Sequence, residues 1–453
     1  MKPAAEILMT IVEIRADRRA NLYTVEKLAR IGKTMTNSCF GITVMPEYIQ
    51  SEGIDPVLDR LQELGVNQVA TSPYLMLPAA EGEGHREPPI DAGAGKLRLL
   101  DRPLWGKREL WFRITPSFRP NPARYRGLRY QPPPCEQPSD LLHRFVAAAK
   151  SRGISPYFQI QAAIPPNLRV QFGGPTDEDL PLLPNGLPPE PRLSKNASLA
   201  SPEILAYTQA LSTDLIEQYP DICGLRYDWP EYPCYHYQTA FTDFNPQAEF
   251  ADLRAQMQAI LDARRFEFPP EFLARKATLV SRFNRALAVT CHALDKEIIL
   301  HAFPPPFNQL TGFDFAANSA SADGIGMKLY TMHLPMILRN FGLEMAGAES
   351  AILRQLNDFF DLNDTPLDSL DAYTYPPPDQ AHQVSCAAQV RKIRAAAAES
   401  ANLHTMVHTY GPTADFAGRL ALAREHSPNG IWLNRYAYLD DAKFASCKAA
   451  STR

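Results

Sequence analysis

Predicted strands and helices alternate along almost the whole chain, and this alternation restricts the folds that it can adopt. Short apolar runs of strand length recur eight times, separated by segments with helical periodicity. The predicted strands are Cys39–Met45, Gln68–Ser72, Tyr157–Ala162, Gly224–Asp228, Ile298–His301, Gly326–Tyr330, Thr405–His408 and Ile431–Asn434. Strands that alternate with helices form parallel βαβ units, and eight of them in 453 residues predict an α/β fold, the (β/α)8 TIM barrel.

The main structural alternative is a doubly wound sheet, but no glycine-rich phosphate-binding motif follows an early strand. The barrel is expected over residues 37–445, between an N-terminal helical extension (1–36) and a C-terminal tail (446–453). The connection between strands 2 and 3, about residues 76–138, is long and rich in Pro and Gly. It contains an apparent extra strand, Glu109–Ile114, and we expect this insertion to form a lid or a wall of the cleft.

Composition excludes several kinds of partner. Hydrophobic residues make up 45% and charged residues 21% of the chain, with a formal net charge of −4. No basic block is present that could neutralise phosphates, so no nucleic-acid partner is expected, and no apolar run is long enough to predict a membrane span. Seven scattered Cys without a CxxC pair suit reduced thiols and predict a cytoplasmic protein. Neither HxH nor HExxH occurs, so we expect no metal and no cofactor; the oligomeric state is left open.

Polar and aromatic residues follow nearly every predicted strand, where barrel enzymes carry their chemistry. Aromatic faces can stack on sugar rings, while amide, imidazole and cationic groups can bind hydroxyls. The set therefore predicts a small-molecule or oligosaccharide substrate. Its candidate substrate-binding residues are Arg226, Trp229, Tyr232, Gln161, His301, Lys328, Tyr330, His408, Asn434, Arg435 and Tyr436.

Asp228, at the end of strand 4, is the central catalytic candidate. Cleavage of a glycosidic bond needs two carboxyl groups on either side of it. Arg226 lies two residues earlier on the same side of the strand, where its charge would favour the ionised form of Asp228. The second carboxylate is expected to be Glu231 or Glu47, which also follow strands.

The segment Gly-Leu-Arg-Tyr-Asp at 224–228 resembles the strand-4 motif of the α-amylase superfamily. The longer pattern across 202–237 also resembles uncharacterised "hypothetical glycosyl hydrolase" barrels. The likeness extends over the barrel body but is motif-like only in that stretch. It implies that Asp228 is the nucleophile or base and Arg226 its partner. The chain departs from the amylase pattern after strand 5, where it has His301-Ala-Phe-Pro and no Glu, and after strand 7, where it has His408-Thr-Tyr.

The function expected from the sequence is therefore that of a glycoside hydrolase or a related carbohydrate-active barrel. Two alternatives remain open. Lys328 stands where Schiff-base aldolases and lyases carry their nucleophile, which would require a lowered pKa. A catalytically inactive saccharide-binding barrel would keep the aromatic residues and lack one carboxylate. The sugar, the linkage and the stereochemical outcome do not follow from the sequence.

Overall fold

The computed structural model describes residues 38–89, 98–190, 196–364 and 367–451. The chain divides into two units, Met1–Cys39 and Phe40–Arg453, and the account below concerns the second. The N-terminal helical extension predicted over residues 1–36 lies outside the described residues.

Eight parallel strands close into a barrel, which confirms the predicted fold class. The strands of the described residues, numbered along the chain, are β1 (Cys39–Thr43), β2 (Gln68–Thr71), β3 (Tyr74–Ala79), β4 (His85–Glu87), β5 (Leu110–Pro116), β6 (Ser155–Gln161), β7 (Gly224–Asp228), β8 (Glu297–Ala302), β9 (Gly324–Leu329), β10 (Leu403–His408) and β11 (Gly430–Asn434). Strands β1, β2 and β6 to β11 form the barrel in chain order, and β11 pairs with β1 to close it.

The remaining strands, β3, β4 and β5, form a separate antiparallel sheet in the order β3-β5-β4. This sheet lies in the insertion between the second and third barrel strands. The extra strand predicted at Glu109–Ile114 is present as β5, Leu110–Pro116.

Helices cover the outside of the strands and connect them. Their bounds are α1 (Pro46–Glu52), α2 (Ile54–Glu63), α3 (Leu141–Ser151), α4 (Pro202–Gln218), α5 (Arg254–Asp262), α6 (Pro270–Ala293), α7 (Phe307–Thr311), α8 (Phe315–Ser319), α9 (His333–Glu344), α10 (Glu349–Phe360), α11 (Cys386–Glu399), α12 (Thr413–His426) and α13 (Asp441–Ser451). The last helix runs through most of the segment that the sequence assigned to a C-terminal tail.

Helix α4 shows how local sequence sets the approach to β7. The Ser201 side chain accepts a hydrogen bond from the Ile204 N–H, and Pro202 occupies the first turn, where its missing N–H costs nothing. Such a cap contributes about 1 kcal/mol to the stability of the helix. The helix then buries Leu211 and Leu215 before the chain turns into β7.

Two glycines create space for large side chains inside the barrel. A Cβ on Gly41 would lie 1.8 Å from Trp432 Cε3, so the indole fills the volume that a side chain would take. A Cβ on Gly326 would lie 2.8 Å from Met406 Sδ and 3.0 Å from His301 Cδ2. The barrel interior is therefore filled by a few large groups that depend on small neighbours.

Candidate active site

Asp228 is the last residue of β7, and its side chain is 22% exposed at the carboxyl end of the barrel. Its Oδ1 lies 3.0 Å from Lys328 Nζ and 3.6 Å from His301 Nδ1. The Trp229 N–H donates to the same oxygen over 3.1 Å. Trp229 has a φ of 56°, which turns the chain sharply away from the strand. The Oδ1 atom is thus surrounded by Lys328, His301 and a backbone N–H, while 22% of the Asp228 side chain remains exposed.

Lys328 reaches Asp228 from two strands away. In the sheet register His301 on β8 pairs with Gly326 on β9, and Lys328 follows two residues later on the same face. Gly326 has no side chain, which leaves room for the His301 ring beside it. The ammonium group is 4% exposed and lies 4.6 Å from the centre of the Trp229 ring.

Glu231 holds the other side of the Lys328 ammonium, 3.5 Å from Nζ. Its Oε1 accepts from the Phe303 N–H at 2.9 Å and its Oε2 from the Thr311 hydroxyl at 2.6 Å. The side chain is 0% exposed. Because one Nζ lies 3.0 Å from Asp228 Oδ1 and 3.5 Å from Glu231 Oε1, these oxygens are at most about 6.5 Å apart. Retaining glycosidases separate their two carboxyl groups by about 5–5.5 Å.

The two carboxyl groups have opposite pKa shifts. Burial by itself would raise the pKa of Asp228, but Lys328 and His301 outweigh it and hold the pKa well below its ordinary range. For Glu231 burial dominates, and it raises the pKa to about 7 although Lys328 acts against it. At neutral pH Asp228 is therefore ionised, while Glu231 holds its proton in about half of the molecules.

Lys328 and His301, the two basic residues beside Asp228, also have opposite pKa shifts. Burial would lower the pKa of Lys328, but Asp228 and Glu231 outweigh this effect and raise it. Burial lowers the pKa of His301 to about 4, despite the opposing charge of Asp228. The site therefore contains a lysine ammonium and a neutral imidazole at neutral pH.

Aromatic rings surround this charged group. Trp229 packs against Tyr235 and Phe303 with ring centres 5.7 and 5.9 Å apart, and Phe303 lies 5.1 Å from Lys328 Nζ. Tyr235 also contacts the His333 ring at 5.5 Å. Such faces exclude water from the ion pairs, and Trp229, at 9%, is the most exposed of the three rings around Lys328.

Gln161 borders Asp228 from the third barrel strand. It is the register partner of Asp228, and its side chain is 5% exposed, with no hydrogen-bond partner for Oε1 in the described part of the chain.

Tyr330, Asn434 and His408 lie together around the ends of the last three barrel strands. The Asn434 amide hydrogen-bonds the Tyr330 hydroxyl, and the Tyr330 and His408 rings are 5.3 Å apart. Burial, followed by the charge of Asp228, raises the pKa of Tyr330 well above its ordinary value. Gln161, Tyr330 and Asn434 thus extend the Asp228 site across the barrel mouth.

Arg226 and Tyr232, which the sequence placed among the candidate substrate-binding residues, are both buried away from the exposed side of Asp228. Arg226 is fully buried inside the barrel, with its guanidinium 3.5 Å from the centre of the Trp432 ring, so it supports the site from below. The Trp432 indole N–H donates to the Thr43 hydroxyl at 2.8 Å. Tyr232 is also fully buried, and its hydroxyl donates to Asp243 at 2.7 Å.

Tyr436 lies outside the Asp228 group as well. It is buried, its hydroxyl donates to Glu52 at 2.8 Å, and the Arg102 guanidinium lies 4.5 Å from the centre of its ring. These contacts assign Tyr436 to the packing of the barrel rim.

Glu47 belongs to a second buried charged group. Its Oε2 accepts from the Tyr74 hydroxyl at 2.9 Å, and its Oε1 lies 3.2 Å from Arg169 Nη1. Arg169 also pairs with Glu87 on β4, and Arg435 Nη1 lies 3.8 Å from the other oxygen of Glu87. We call Glu47, Tyr74, Glu87, Arg169 and Arg435 the second cluster.

Several residues of these groups were not singled out from the sequence. Thr311 and the Phe303 N–H, which fix Glu231, follow β8 in a segment where only the aromatic residues carried a signal. Glu87 lies in the insertion between β2 and β6, whereas Arg169 lies in the connection between β6 and α4, and their pairing depends on how these two segments meet.

Two kinds of feature are absent from the described residues. In the ranges given above, no three His, Cys, Asp or Glu side chains are grouped so that they could hold a metal ion. No helix among these residues is both long and apolar enough to cross a bilayer.

Solved structures match the fold. The crystal structure of a beta-galactosidase from the psychrophilic Marinomonas ef1 matches with a TM-score of 0.52 at 11% identity, over 91% of this chain and 59% of that one. The two proteins share a barrel fold. The chain thus spans somewhat more than half the length of this enzyme, and the likeness concerns the fold alone.

Two further matches have lower TM-scores. The catalytic domain of a beta-amylase from Paenibacillus polymyxa matches at 0.48 and 11% identity, over 91% of this chain and 97% of that one. The PgaB (BpsB) glycoside hydrolase domain from Bordetella bronchiseptica matches at 0.48 and 12% identity, over 90% and 98% respectively. No family model and no curated protein matches the sequence.

Proposed function

We propose that this protein is a glycoside hydrolase, or a closely related carbohydrate-active barrel enzyme, in which Asp228 is the carboxylate that faces the anomeric carbon. One observation carries the proposal. Asp228 is partly exposed at the end of a barrel strand, ionised by its neighbours and surrounded by aromatic rings. The fold shared with a beta-galactosidase is consistent with this chemistry.

In the proposed reaction Asp228 attacks the anomeric carbon, or stabilises the positive charge that develops there. Its low pKa suits either role, because both need a carboxylate. The spacing of at most about 6.5 Å between Asp228 and Glu231 favours the first role and net retention, since an inverting pair needs room for a water molecule.

The departing glycosidic oxygen needs a proton, and we assign its source to Glu231. A carboxyl group with a pKa of about 7 can hold a proton at neutral pH and release it. Glu231 is fully buried, so the proton must pass through Lys328, which lies within 3.5 Å of it. In this path the Lys328 ammonium gives a proton to the leaving oxygen as Glu231 replaces it, so that no free amine persists, and the water molecule that hydrolyses the glycosyl-enzyme later returns a proton to Glu231.

The Schiff-base alternative requires Lys328 as a free amine. Two carboxyl groups beside the ammonium raise its pKa, which opposes that requirement. The geometry therefore favours Lys328 as a cation that holds Asp228 and Glu231.

The second candidate function is a saccharide-binding barrel without catalytic activity. The observation that favours it is that Glu231 and Glu47 are both fully buried, which leaves Asp228 as the one accessible carboxylate of the three candidates. Such a protein would bind sugar at the same aromatic surface.

Asp228→Asn tests the proposal, with Asp379→Asn at an exposed position as the matched control. Release of nitrophenol from a panel of nitrophenyl glycosides is measured for both variants and the parent. We expect the Asp228 variant to lose roughly 10³-fold or more in kcat, and the control to keep full activity. Full turnover by Asp228→Asn would refute the assignment.

A second experiment distinguishes the hydrolase from the saccharide-binding barrel. Azide should restore turnover to Asp228→Ala by forming a glycosyl azide, because the small anion occupies the space of the lost carboxylate. If the parent binds the sugars by calorimetry but cleaves no glycoside in the panel, the saccharide-binding barrel replaces the hydrolase.

A further inference from the structure

Arg435 has a guanidinium nitrogen, Nη1, without a hydrogen-bond partner in the described part of the chain. It follows the last barrel strand directly, and its side chain is 18% exposed. Nη1 is buried from solvent. A buried, charged N–H group without an acceptor is costly, so this position favours the arrival of an acceptor.

The carboxylate nearest to Arg435 is already engaged. Glu87 Oε1 is 3.8 Å from Arg435 Nη1, beyond hydrogen-bond distance, while Glu87 Oε2 is bound by Arg169. Glu87 therefore holds the Arg435 side chain in place by charge without satisfying its donors.

The charges of the second cluster balance when both of its glutamates are ionised, and protonation of Glu47 leaves the cluster short of negative charge. Burial raises the pKa of Glu47; Arg169 acts against this shift and Glu87 adds to it. When Glu47 is protonated, two guanidinium groups face one carboxylate, Glu87. One further anion would balance the group.

Arg435 also belongs to the neighbourhood of the catalytic candidate. Tyr330 experiences the charges of both Asp228 and Arg435, and the Asn434 amide binds the Tyr330 hydroxyl. Arg435 directly follows Asn434, the register partner of His408, and the His408 ring lies 5.3 Å from the Tyr330 ring, so the chain carries the guanidinium at the same end of the barrel as Asp228.

We propose that Arg435 binds a carboxylate on the substrate, so that the protein acts on saccharides that contain a uronic acid. This inference rests on the proposed function, because it assumes that a sugar occupies the Asp228 site. A guanidinium matches a carboxylate in shape and donates two parallel hydrogen bonds to it, whereas a neutral hydroxymethyl group would leave part of its charge unpaired.

Matched substrates test the inference: nitrophenyl glucuronide and galacturonide against the corresponding glucoside and galactoside. A charge-assisted bond predicts a kcat/KM about 10- to 100-fold higher for the uronides. In Arg435→Gln the ratio of uronide to neutral activity should fall by a similar factor. The exposed residue Arg394 provides the control, since Arg394→Gln should leave the ratio unchanged.

Direct binding separates this inference from the proposed function. Calorimetry compares free glucuronate, galacturonate, glucose, galactose and galactose 6-sulfate. Binding of uronates that Arg435→Gln abolishes, without cleavage of any glycoside, would support the anion site and refute the hydrolase. Cleavage of neutral glycosides with no preference for uronides would refute the anion site alone. Tighter binding of the sulfate than of the uronates would overturn the carboxylate assignment, and binding of none of these sugars would refute both proposals.

Discussion

Replacing Lys328 by Met should destabilise the protein strongly and in a pH-dependent way. The ammonium lies 3.0 Å from Asp228 and 3.5 Å from Glu231, and it is almost fully buried. Methionine fills a similar volume but leaves two carboxyl groups without their cation. The change therefore tests the electrostatics of the site independently of any substrate.

The magnitude follows from the cost of removing one partner of a buried ion pair, about 3–5 kcal/mol. We expect a loss in this range from the free energy of unfolding at about pH 7.5, where Asp228 is ionised and Glu231, with a pKa of about 7, is mostly ionised. A removed surface lysine would cost less than about 1 kcal/mol.

The loss should shrink as the pH falls. In the parent the pKa of Asp228 lies below its ordinary value, so its stabilising effect persists at mildly acidic pH and is lost only as the pH falls through that lowered value. Without Lys328, burial raises the pKa of both carboxyl groups. The pKa of Glu231 then lies above its parent value of about 7, so Glu231 is neutral at both pH values, and Asp228 takes up a proton at a higher pH than in the parent, which relieves the cost of its unpaired charge. Urea unfolding, followed by circular dichroism at about pH 7.5 and pH 5, measures the free energy of unfolding of parent and variant and hence the loss at each pH.

Lys276→Met is the matched control. Lys276 is also fully buried, but its Nζ donates to the Ala240 carbonyl, and burial lowers its pKa to about 7. This substitution should cost clearly less at pH 7.5 than Lys328→Met. A loss below about 1 kcal/mol for Lys328→Met, or one that is equal at the two pH values, would refute the reasoning.

The remaining predictions concern proton transfer and packing. In the parent, kcat/KM for glycosides with poor leaving groups should fall as the pH rises through about 7, because Glu231 loses its proton there. Glu231→Gln should remove this limb and impair alkyl glycosides far more than nitrophenyl glycosides; equal impairment of both would contradict a proton-donor role. Gly41→Ala should destabilise by about 1–3 kcal/mol, since the new methyl group would lie 1.8 Å from the Trp432 ring, and an unchanged melting temperature would contradict this packing.

The eight barrel strands could be predicted because each is an apolar run between helical patterns. Even the bounds of β7, Gly224–Asp228, agree with the sequence prediction. Period and length are local properties, and a closed parallel barrel follows from their repetition. The sequence could not show how far each strand-end side chain is buried, because burial depends on the loops that cover it.

Glu47 and Glu231 illustrate this limit. Both follow barrel strands closely and looked equivalent as a second carboxylate. Glu47 follows β1, three barrel strands away from β7, and it pairs with Arg169, which follows β6 and also binds Glu87. Glu231 follows β7 itself and reaches the ammonium that Asp228 uses. The distinction comes from contacts between segments that are far apart in the sequence.

The three-dimensional arrangement changes the expected role of Lys328 most. From the sequence it was either a sugar contact or a Schiff-base nucleophile, and the second role needs a lowered pKa. The register of β8 and β9 brings its ammonium between two carboxyl groups, which reverses the expected shift. The same ammonium keeps Asp228 ionised, while Glu231 on its other side can still hold a proton. One lysine thereby allows two carboxyl groups within about 6.5 Å to have different protonation states at neutral pH, which is the condition that acid–base cleavage of a glycosidic bond requires.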